Sequence, residues 1–289
     1  MTTNQASPLT RKDIAAGLRR LGIGAGDGVM VHSSLKSFGP VESGPLTIIE
    51  ALMDVLTPEG TLLMPTFNHG KPWESGGCGF YDPATIPTIN GIIPETFRRL
   101  PDVHRSLDPT HAVAAWGKNA LRYTQFHHRT LTMGPDSPLG LLGREGGCAV
   151  MLGVGYGTNT YHHVVEMTLG VPCLGKRTEA YEVRLPGGRS VIGRTWGWRG
   201  GSCPVCDGAQ YGERMKAVSK TTAIGSCNAI IFKLSDAFRV ISAALAQGLN
   251  GSPPCSRCPI RPRVVPQTVE SDWDDEKQCL KDDSQAWMY

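Results

Sequence analysis

Residues 27–34 read Asp-Gly-Val-Met-Val-His-Ser-Ser, and this stretch decides the predicted fold. The Asp-Gly turn is followed by a short apolar run that is typical of a buried strand. Apolar residues at helical spacing predict a helix before it, at residues 10–21, and a second after it, at 46–56, with another strand at 61–65. Strand, helix and strand in this order form a βαβ unit. We therefore predict the α/β fold class, with a mixed, largely parallel central sheet flanked by helices.

Further segments continue this pattern along the chain. They are a short helix at 93–100, a strand at 148–154, a helix at 160–169 and a helical stretch near 235–247. After residue 201 the composition becomes rich in Cys, Gly and Pro. The sequence therefore predicts an α/β core at residues 1–200, a Cys-containing C-terminal extension at 201–264 that completes the core, and a tail at 265–289.

Composition excludes several classes of function. The net charge is +3 and no run of Lys or Arg exceeds two residues, which argues against a nucleic-acid partner. Membrane spans need about 18 or more consecutive apolar residues, and the chain has no such stretch. The polar N-terminus lacks the apolar segment of a secretory signal. We therefore expect a cytoplasmic protein with no nucleic acid and no membrane among its partners.

Five separated motifs together point to one family. They are VHSSL with FG at 31–39, GTLLMPTF at 60–67, RSLDPTHAVAAWG at 105–117, SPLG at 137–140 and NTYHHVVE at 159–166. In this order they resemble the aminoglycoside 3-N-acetyltransferases, the antibiotic N-acetyltransferase family, from about residue 11 to 170 and more weakly to about 250. The last motif carries the family's Thr-x-x-His-x-x-Glu pattern. The resemblance implies direct transfer of an acetyl group from acetyl-CoA to an amine of an aminoglycoside or similar amino compound, in an enzyme of antibiotic resistance.

His163 and Glu166 form the predicted general-base pair. They are three residues apart, so on a helix they lie on one face within reach of each other. A carboxylate that bonds one imidazole nitrogen fixes the ring and raises the basicity of the other nitrogen. Thr160, one turn earlier, can donate its hydroxyl to the thioester oxygen. An isolated His-x-x-Glu is also common on helix surfaces, and the resemblance is what favours catalysis here.

His111 is a further catalytic candidate. It follows a Pro-Thr turn and matches a family position close to the cofactor, so contact with the thioester or the amine is one interpretation. A hydrogen-bonded core histidine is the other. The adjacent His162 would point about 100° away from His163 on a helix, and we interpret it as structural.

The coenzyme A site is predicted at the end of the first strand. Ser33 and Ser34 follow that strand, where open α/β sheets tend to bind ligands, although a helix cap would explain them equally. Arg105 could pair with a phosphate. The resemblance completes the predicted cofactor site with His32, Leu35, Phe38, Gly39, Ser106 and Thr110.

Two Cys-x-x-Cys turns predict a structural zinc site. Cys203 with Cys206, and Cys255 with Cys258, offer the four thiolates of a closed tetrahedral site. Unligated thiols or redox pairs are the alternatives.

Three other functions compete with acetyl transfer. A non-enzymatic zinc-binding module would contact a protein or nucleic acid through the cysteine region, and a metal enzyme would use His163 and Glu166 as ligands. A hydrolase would use Ser33 as nucleophile, but no Gly-x-Ser-x-Gly elbow is present. The family usually has His or Asn at the position of Asp108, and its acids for gripping a polycation are not obvious at residues 68–82. The acceptor amine therefore stays open, and so does the oligomeric state, for which a homodimer is one candidate.

Overall fold

The computed structural model describes residues 7–68, 79–169, 179–195 and 212–247, with short strands at 273–274 and 279–280. A seven-stranded sheet forms its centre. Its members are β1 (Gly28–Ser33), β2 (Thr61–Pro65), β4 (His104–Arg105), β5 (Val113–Gly117), β6 (Cys148–Leu152), β9 (Lys220–Ile224) and β10 (Cys227–Lys233), in the order β4-β5-β2-β1-β6-β10-β9. The other strands are β3 (Gly79–Tyr81), β7 (Glu179–Arg184) and β8 (Ser190–Thr195), which form a second sheet, and the pair β11 (Trp273–Asp274) and β12 (Cys279–Leu280).

The parallel pairs occupy the middle of the central sheet. Strand β1 lies between β2 and β6 and is parallel to both, with Gly28 opposite Thr61 and Val31 opposite Val150. The four flanking pairs are antiparallel. The predicted α/β fold with a mixed sheet is confirmed, and its parallel part is the βαβ unit seen in the sequence together with β6.

Helices cover both faces of this sheet. They are α1 (Arg11–Leu21), α2 (Pro45–Leu56), α3 (Ile92–Phe97), α4 (Ala120–Thr124), α5 (Pro138–Arg144), α6 (Tyr161–Thr168), α7 (Gly212–Lys216) and α8 (Leu234–Ala246). Side chains alternate between the faces of a strand. Val29 and Val31 of β1 accordingly pack with α1, α2 and α3, whereas Met30 packs with α5, α6 and α8. The result is a three-layer α/β/α arrangement with one apolar core on each side of the sheet.

Local signals in the sequence set the helix boundaries. Thr10 caps α1 in a capping box with Asp13, and Gly22 ends it at a φ of 111°. Pro45 starts α2, and Ser137 caps α5 by accepting a hydrogen bond from the backbone N–H of Gly140. These helices and the strands of the βαβ unit confirm the elements predicted from periodicity to within a few residues. No helix in the described part of the chain combines the length and apolarity needed to cross a bilayer.

The region after residue 201 contributes to the central sheet where it is described. Strands β9 and β10 extend the sheet beyond β6, and α8 packs against α6. The proposed division at residues 200 and 264 stays a prediction.

Candidate active site

A cleft of about 340 Å³ opens beside the carboxyl ends of the parallel strands. Ligands of open α/β sheets bind at this edge because the loops that follow the strands converge there. Four of its lining residues are histidines: His32, His111, His162 and His163. Ser33, Thr158 and Thr160 line the same cleft. Imidazoles and hydroxyls together can exchange and donate protons, which is the chemistry of acyl transfer.

His163 and Glu166 form a hydrogen-bonded pair on α6. The distance from His163 Nδ1 to Glu166 Oε2 is 2.8 Å. The Glu166 side chain is fully buried, whereas the His163 side chain keeps 19% of its surface exposed at the cleft. An ionised carboxylate can only accept hydrogen bonds, so Nδ1 carries the hydrogen and Nε2 is left as the basic nitrogen. The predicted pair is therefore formed, with the acid behind the imidazole.

The first turn of α6 is fixed by Asn159 and by close packing from α5. His162 Nδ1 hydrogen-bonds the carbonyl of Asn159, and the Asn159 side chain accepts from the backbone N–H of Tyr161 at 3.1 Å. Gly143 of α5 lies so close to Tyr161 that a Cβ there would be 2.3 Å from the Tyr161 hydroxyl oxygen. The His162 ring, 3.8 Å from that of His163 between centroids, forms part of the cleft wall. These contacts restrict the orientation of the helix that carries the pair.

His32, at the end of β1, is held neutral. Burial, and then the neighbouring His162, lowers its pKa from 6.5 to about 4. Its Nε2 lies 3.4 Å from the Thr160 hydroxyl oxygen. The adjacent residue Ser33 lines the cleft, but its Oγ is buried and has no hydrogen-bond partner within the described residues. Thr160 therefore offers a hydroxyl at the cleft wall that can serve a bound oxygen atom.

His111 reaches the cleft from the strand pair β2–β5. Its ring packs against Phe67, with 4.8 Å between the centroids. Its Nδ1 lies 2.8 Å from the Thr110 hydroxyl oxygen, and its backbone N–H donates to the buried carboxylate of Asp108 at 2.7 Å. Burial raises the pKa of Asp108, but the nearby His127 and His111 and two backbone donors outweigh it, so the pKa lies below its ordinary value.

Comparison with known proteins places this chain in a family. A sequence profile described as aminoglycoside 3-N-acetyltransferase matches residues 30–246. The chain belongs to this family.

A relative found by sequence and two solved structures illustrate how this chain resembles members of the family. Aminoglycoside N(3)-acetyltransferase IV of Salmonella sp is 37% identical over 164 residues, which cover 56% of this chain and 60% of that protein. This chain therefore spans less than two thirds of the length of that relative. The solved structure of AAC-IIIb in a binary complex with CoASH superposes with a TM-score of 0.74 at 27% identity, covering 84% of this chain and 98% of the other. That of an AAC(3)-IVa variant in complex with gentamicin gives 0.71 at 28%, covering 85% and 91%.

The family motifs do not all converge on the cleft. Thr160, His111, His32 and Ser33 line it, together with His163. The other positions predicted for the cofactor, apart from Thr110 beside His111, are not among the residues that line this cleft, and their contacts with a cofactor stay predictions: Ser34, Leu35, Phe38, Gly39, Arg105 and Ser106. Phe38, for example, is 1% exposed and packs in the core with α1 and α2.

Arg105 and Ser106 are engaged in internal hydrogen bonds. The Arg105 guanidinium donates to the carbonyls of Thr66, Pro83 and Ile86 and lies over the ring of Tyr81. Ser106 is fully buried, and its hydroxyl accepts from the backbone of Val113 and lies 2.8 Å from a nitrogen of His127. Both side chains hold loops together, so the geometry does not favour the predicted phosphate contact of Arg105 or the predicted cofactor contact of Ser106.

Sequence reasoning missed part of the cleft wall. Pro65 and Phe67, at the end of β2, could have been found by the rule that selected Ser33 at the end of β1. Asn90 and Pro94 come from a loop and a short helix with no motif of their own. The four cysteines of the predicted zinc site, Cys203, Cys206, Cys255 and Cys258, lie outside the described residues.

His32 makes stability depend on pH in a defined window. Its pKa in the folded state, about 4, lies below the unfolded value of 6.5, so the unfolded chain binds the proton more tightly. Protonation of His32 does not affect the free energy of unfolding above pH 6.5. As the pH falls from 6.5 towards 4, it lowers this free energy by up to roughly 3 kcal/mol. We expect urea unfolding to show a shallower loss of stability across this window in His32→Gln than in the wild type. His104→Gln, at an exposed position, is the control, and equal slopes for wild type and His32→Gln would refute the assignment.

Proposed function

We propose that this protein is an acetyl-CoA-dependent N-acetyltransferase that transfers the acetyl group directly to an amine of an aminoglycoside or a similar amino compound. The observation that carries the proposal is the Glu166-backed imidazole of His163 at the wall of the cleft. Membership of the family supports the reaction class. The related structures with CoASH and with gentamicin support a coenzyme A thioester as donor and an amino sugar as acceptor.

His163 removes the proton that the amine must lose. Nucleophilic attack on a thioester requires a neutral nitrogen lone pair, and the bond formed then leaves an extra proton on that nitrogen. Nε2 of His163 accepts this proton while Glu166, bound to Nδ1, stabilises the imidazolium. Burial of Glu166 strengthens the interaction, since the surroundings screen the charges weakly.

Thr160 donates its hydroxyl hydrogen to the oxygen of the thioester carbonyl as that oxygen becomes negative. Hydroxyl donors that are already oriented need no reorganisation when charge develops. His32 beside Thr160 is uncharged near pH 7, because its pKa is about 4, so it contributes no charge to the stabilisation of this oxygen. The cleft thus supplies a base and a hydrogen-bond donor.

Direct transfer agrees with the state of the side chains that could act as nucleophiles. Ser33 Oγ has no hydrogen-bonded base among the described residues, and a serine that no base activates is a weak nucleophile. Cys148 and Cys227, the free thiols in the described part of the chain, do not line the cleft. The hydrolase alternative is therefore disfavoured. No observation supports the alternative of a non-enzymatic zinc-binding module.

We also propose that Cys203, Cys206, Cys255 and Cys258 bind one structural zinc ion. The proposal is supported by the two Cys-x-x-Cys pairs, whose spacing suits thiolate ligands. Elemental analysis of protein purified without chelators should find about one zinc per chain, falling in Cys203→Ser and Cys255→Ser variants. Protein that is fully folded and active with far less than one zinc would exclude the site. The cytoplasmic location and the homodimer also stay predictions, to be tested by fractionation and by light scattering.

Substitution of the general-base pair tests the proposed function. We expect His163→Ala to lower kcat about 10²–10⁴-fold, since general-base catalysis has this magnitude. Glu166→Gln should lower kcat by a smaller factor, because the ring is still held but its positive charge is no longer stabilised. Free thiol release from acetyl-CoA with a panel of aminoglycosides and simpler amines is the measurement.

His104→Ala, an exposed histidine outside the cleft, is the matched control and should keep wild-type turnover. Near-normal turnover in His163→Ala would reject its assignment as base. Absence of thiol release with every amine would reject the reaction class itself.

A further inference from the structure

A second imidazole in the cleft is backed by a buried acid. His111 is fixed where β2 and β5 continue their pairing beyond the regular strands, through hydrogen bonds from Thr66 N to Ala112 O at 2.9 Å and from Asn68 N to Thr110 O at 3.0 Å. This pairing holds the His111 ring against Phe67 and at the cleft wall. The backbone on either side of His111 is therefore held by hydrogen bonds.

Asp108 lies directly behind this histidine and is fully buried. Its Oδ1 accepts hydrogen bonds from the backbone N–H groups of Thr110 and His111, at 3.0 and 2.7 Å. Its Oδ2 accepts from the Thr132 hydroxyl at 2.8 Å. A buried carboxylate is costly unless it is hydrogen-bonded and placed near a positive charge.

The Thr110 hydroxyl connects the acid to the imidazole. It lies 2.8 Å from His111 Nδ1 and 3.3 Å from Asp108 Oδ1. A hydroxyl that donates to the carboxylate has lone pairs left to accept the hydrogen of Nδ1. In this arrangement Nδ1 keeps its hydrogen, and Nε2 is the ring nitrogen that gains or loses a proton. The carboxylate also stabilises the imidazolium form.

The shape of the turn alone does not require this charge. An asparagine at position 108 would accept the same backbone hydrogen bonds through its carbonyl oxygen. His127, the other imidazole near Asp108, already has its Nδ1 within 2.8 Å of the Ser106 hydroxyl and its Nε2 within 2.7 Å of the Thr132 carbonyl. His127 is buried and does not line the cleft, so His111 is the imidazole near Asp108 that can meet a bound substrate.

We propose that His111 is the general acid that protonates the departing sulfur of coenzyme A, and that Asp108 is its positioning residue, acting through the Thr110 hydroxyl. The inference rests on the proposed acetyl transfer. As the C–N bond forms, His163 takes a proton from the amine. As the C–S bond breaks, its electron pair passes to sulfur, and the proton on His111 Nε2 goes to the same sulfur to give the thiol. His163 then holds one proton more and His111 one fewer, and exchange with solvent restores both.

Thioesters whose leaving thiols differ in pKa distinguish a general-acid role of His111 from a purely structural role. A thiol of lower pKa leaves more readily as the thiolate and needs less help from an acid. The probes are acetyl-CoA and an acetyl thioester of an aromatic thiol, compared by kcat/KM at saturating amine. His111→Ala should lose about 10²-fold with acetyl-CoA, within the usual range for acid catalysis, and far less with the aromatic thioester.

Asp108→Asn and Thr110→Val test the connection without removing the imidazole. Each should lower kcat with acetyl-CoA about 10-fold, a part of the full acid effect, leave KM for acetyl-CoA nearly unchanged, and show a smaller deficit with the aromatic thioester. Thr110→Ser restores the hydroxyl and should recover most of the activity lost in Thr110→Val. His163→Ala is the matched comparison, since loss of the base should affect both donors to a similar degree.

Thermal unfolding of each variant identifies those that are folded. If Asp108→Asn does not fold, Thr110→Val still tests the connection between Asp108 and His111. Equal deficits with both donors in His111→Ala would overturn the proposal, as would wild-type kcat in folded Asp108→Asn and Thr110→Val. A wild type that releases no thiol from either donor would instead overturn the proposed function, and the inference with it.

Discussion

The hydrogen bond between Glu166 and His163 is the interaction on which the site depends. A fully buried carboxylate without a partner would destabilise the fold, and the imidazole at 2.8 Å relieves that cost while receiving a fixed orientation. The same bond assigns the hydrogen to Nδ1 and leaves the basic nitrogen for the cleft. Stability and chemistry are thus tied to one contact on one turn of helix.

The sheet explains why that contact lies beside a cleft. Parallel pairing of β1 with β2 and β6 brings three carboxyl ends to one edge, and α6 begins shortly after β6. Because Gly143 of α5 has no side chain, Tyr161, the first residue of α6, can lie close to α5. The antiparallel strand β5 brings its amino end to the same edge, with Val113 opposite Pro65, and His111 lies just before it. The position of His163 therefore depends on packing between segments that are far from it in the sequence.

The sequence predicts well what depends on local patterns. The βαβ unit, the capped helix α1 and the His-x-x-Glu pair all follow from the spacing and turn chemistry of residues that are near one another in the sequence. Contacts between a side chain and residues that are distant in the sequence are harder to predict. The positive charge of Arg105 suggests a phosphate partner, whereas its guanidinium donates to the carbonyls of Thr66, Pro83 and Ile86, which no local pattern brings together. The hairpin β9–β10 was missed because it follows a segment dominated by Cys, Gly and Pro.

A crystal structure of the ternary complex with coenzyme A and an aminoglycoside tests the central claim most directly. The account predicts that the reacting nitrogen lies within hydrogen-bond reach of His163 Nε2, about 2.6–3.2 Å, with the sulfur of coenzyme A in the same cleft. An acceptor amine and sulfur bound together at a different site, with the His163 ring facing neither, would contradict it.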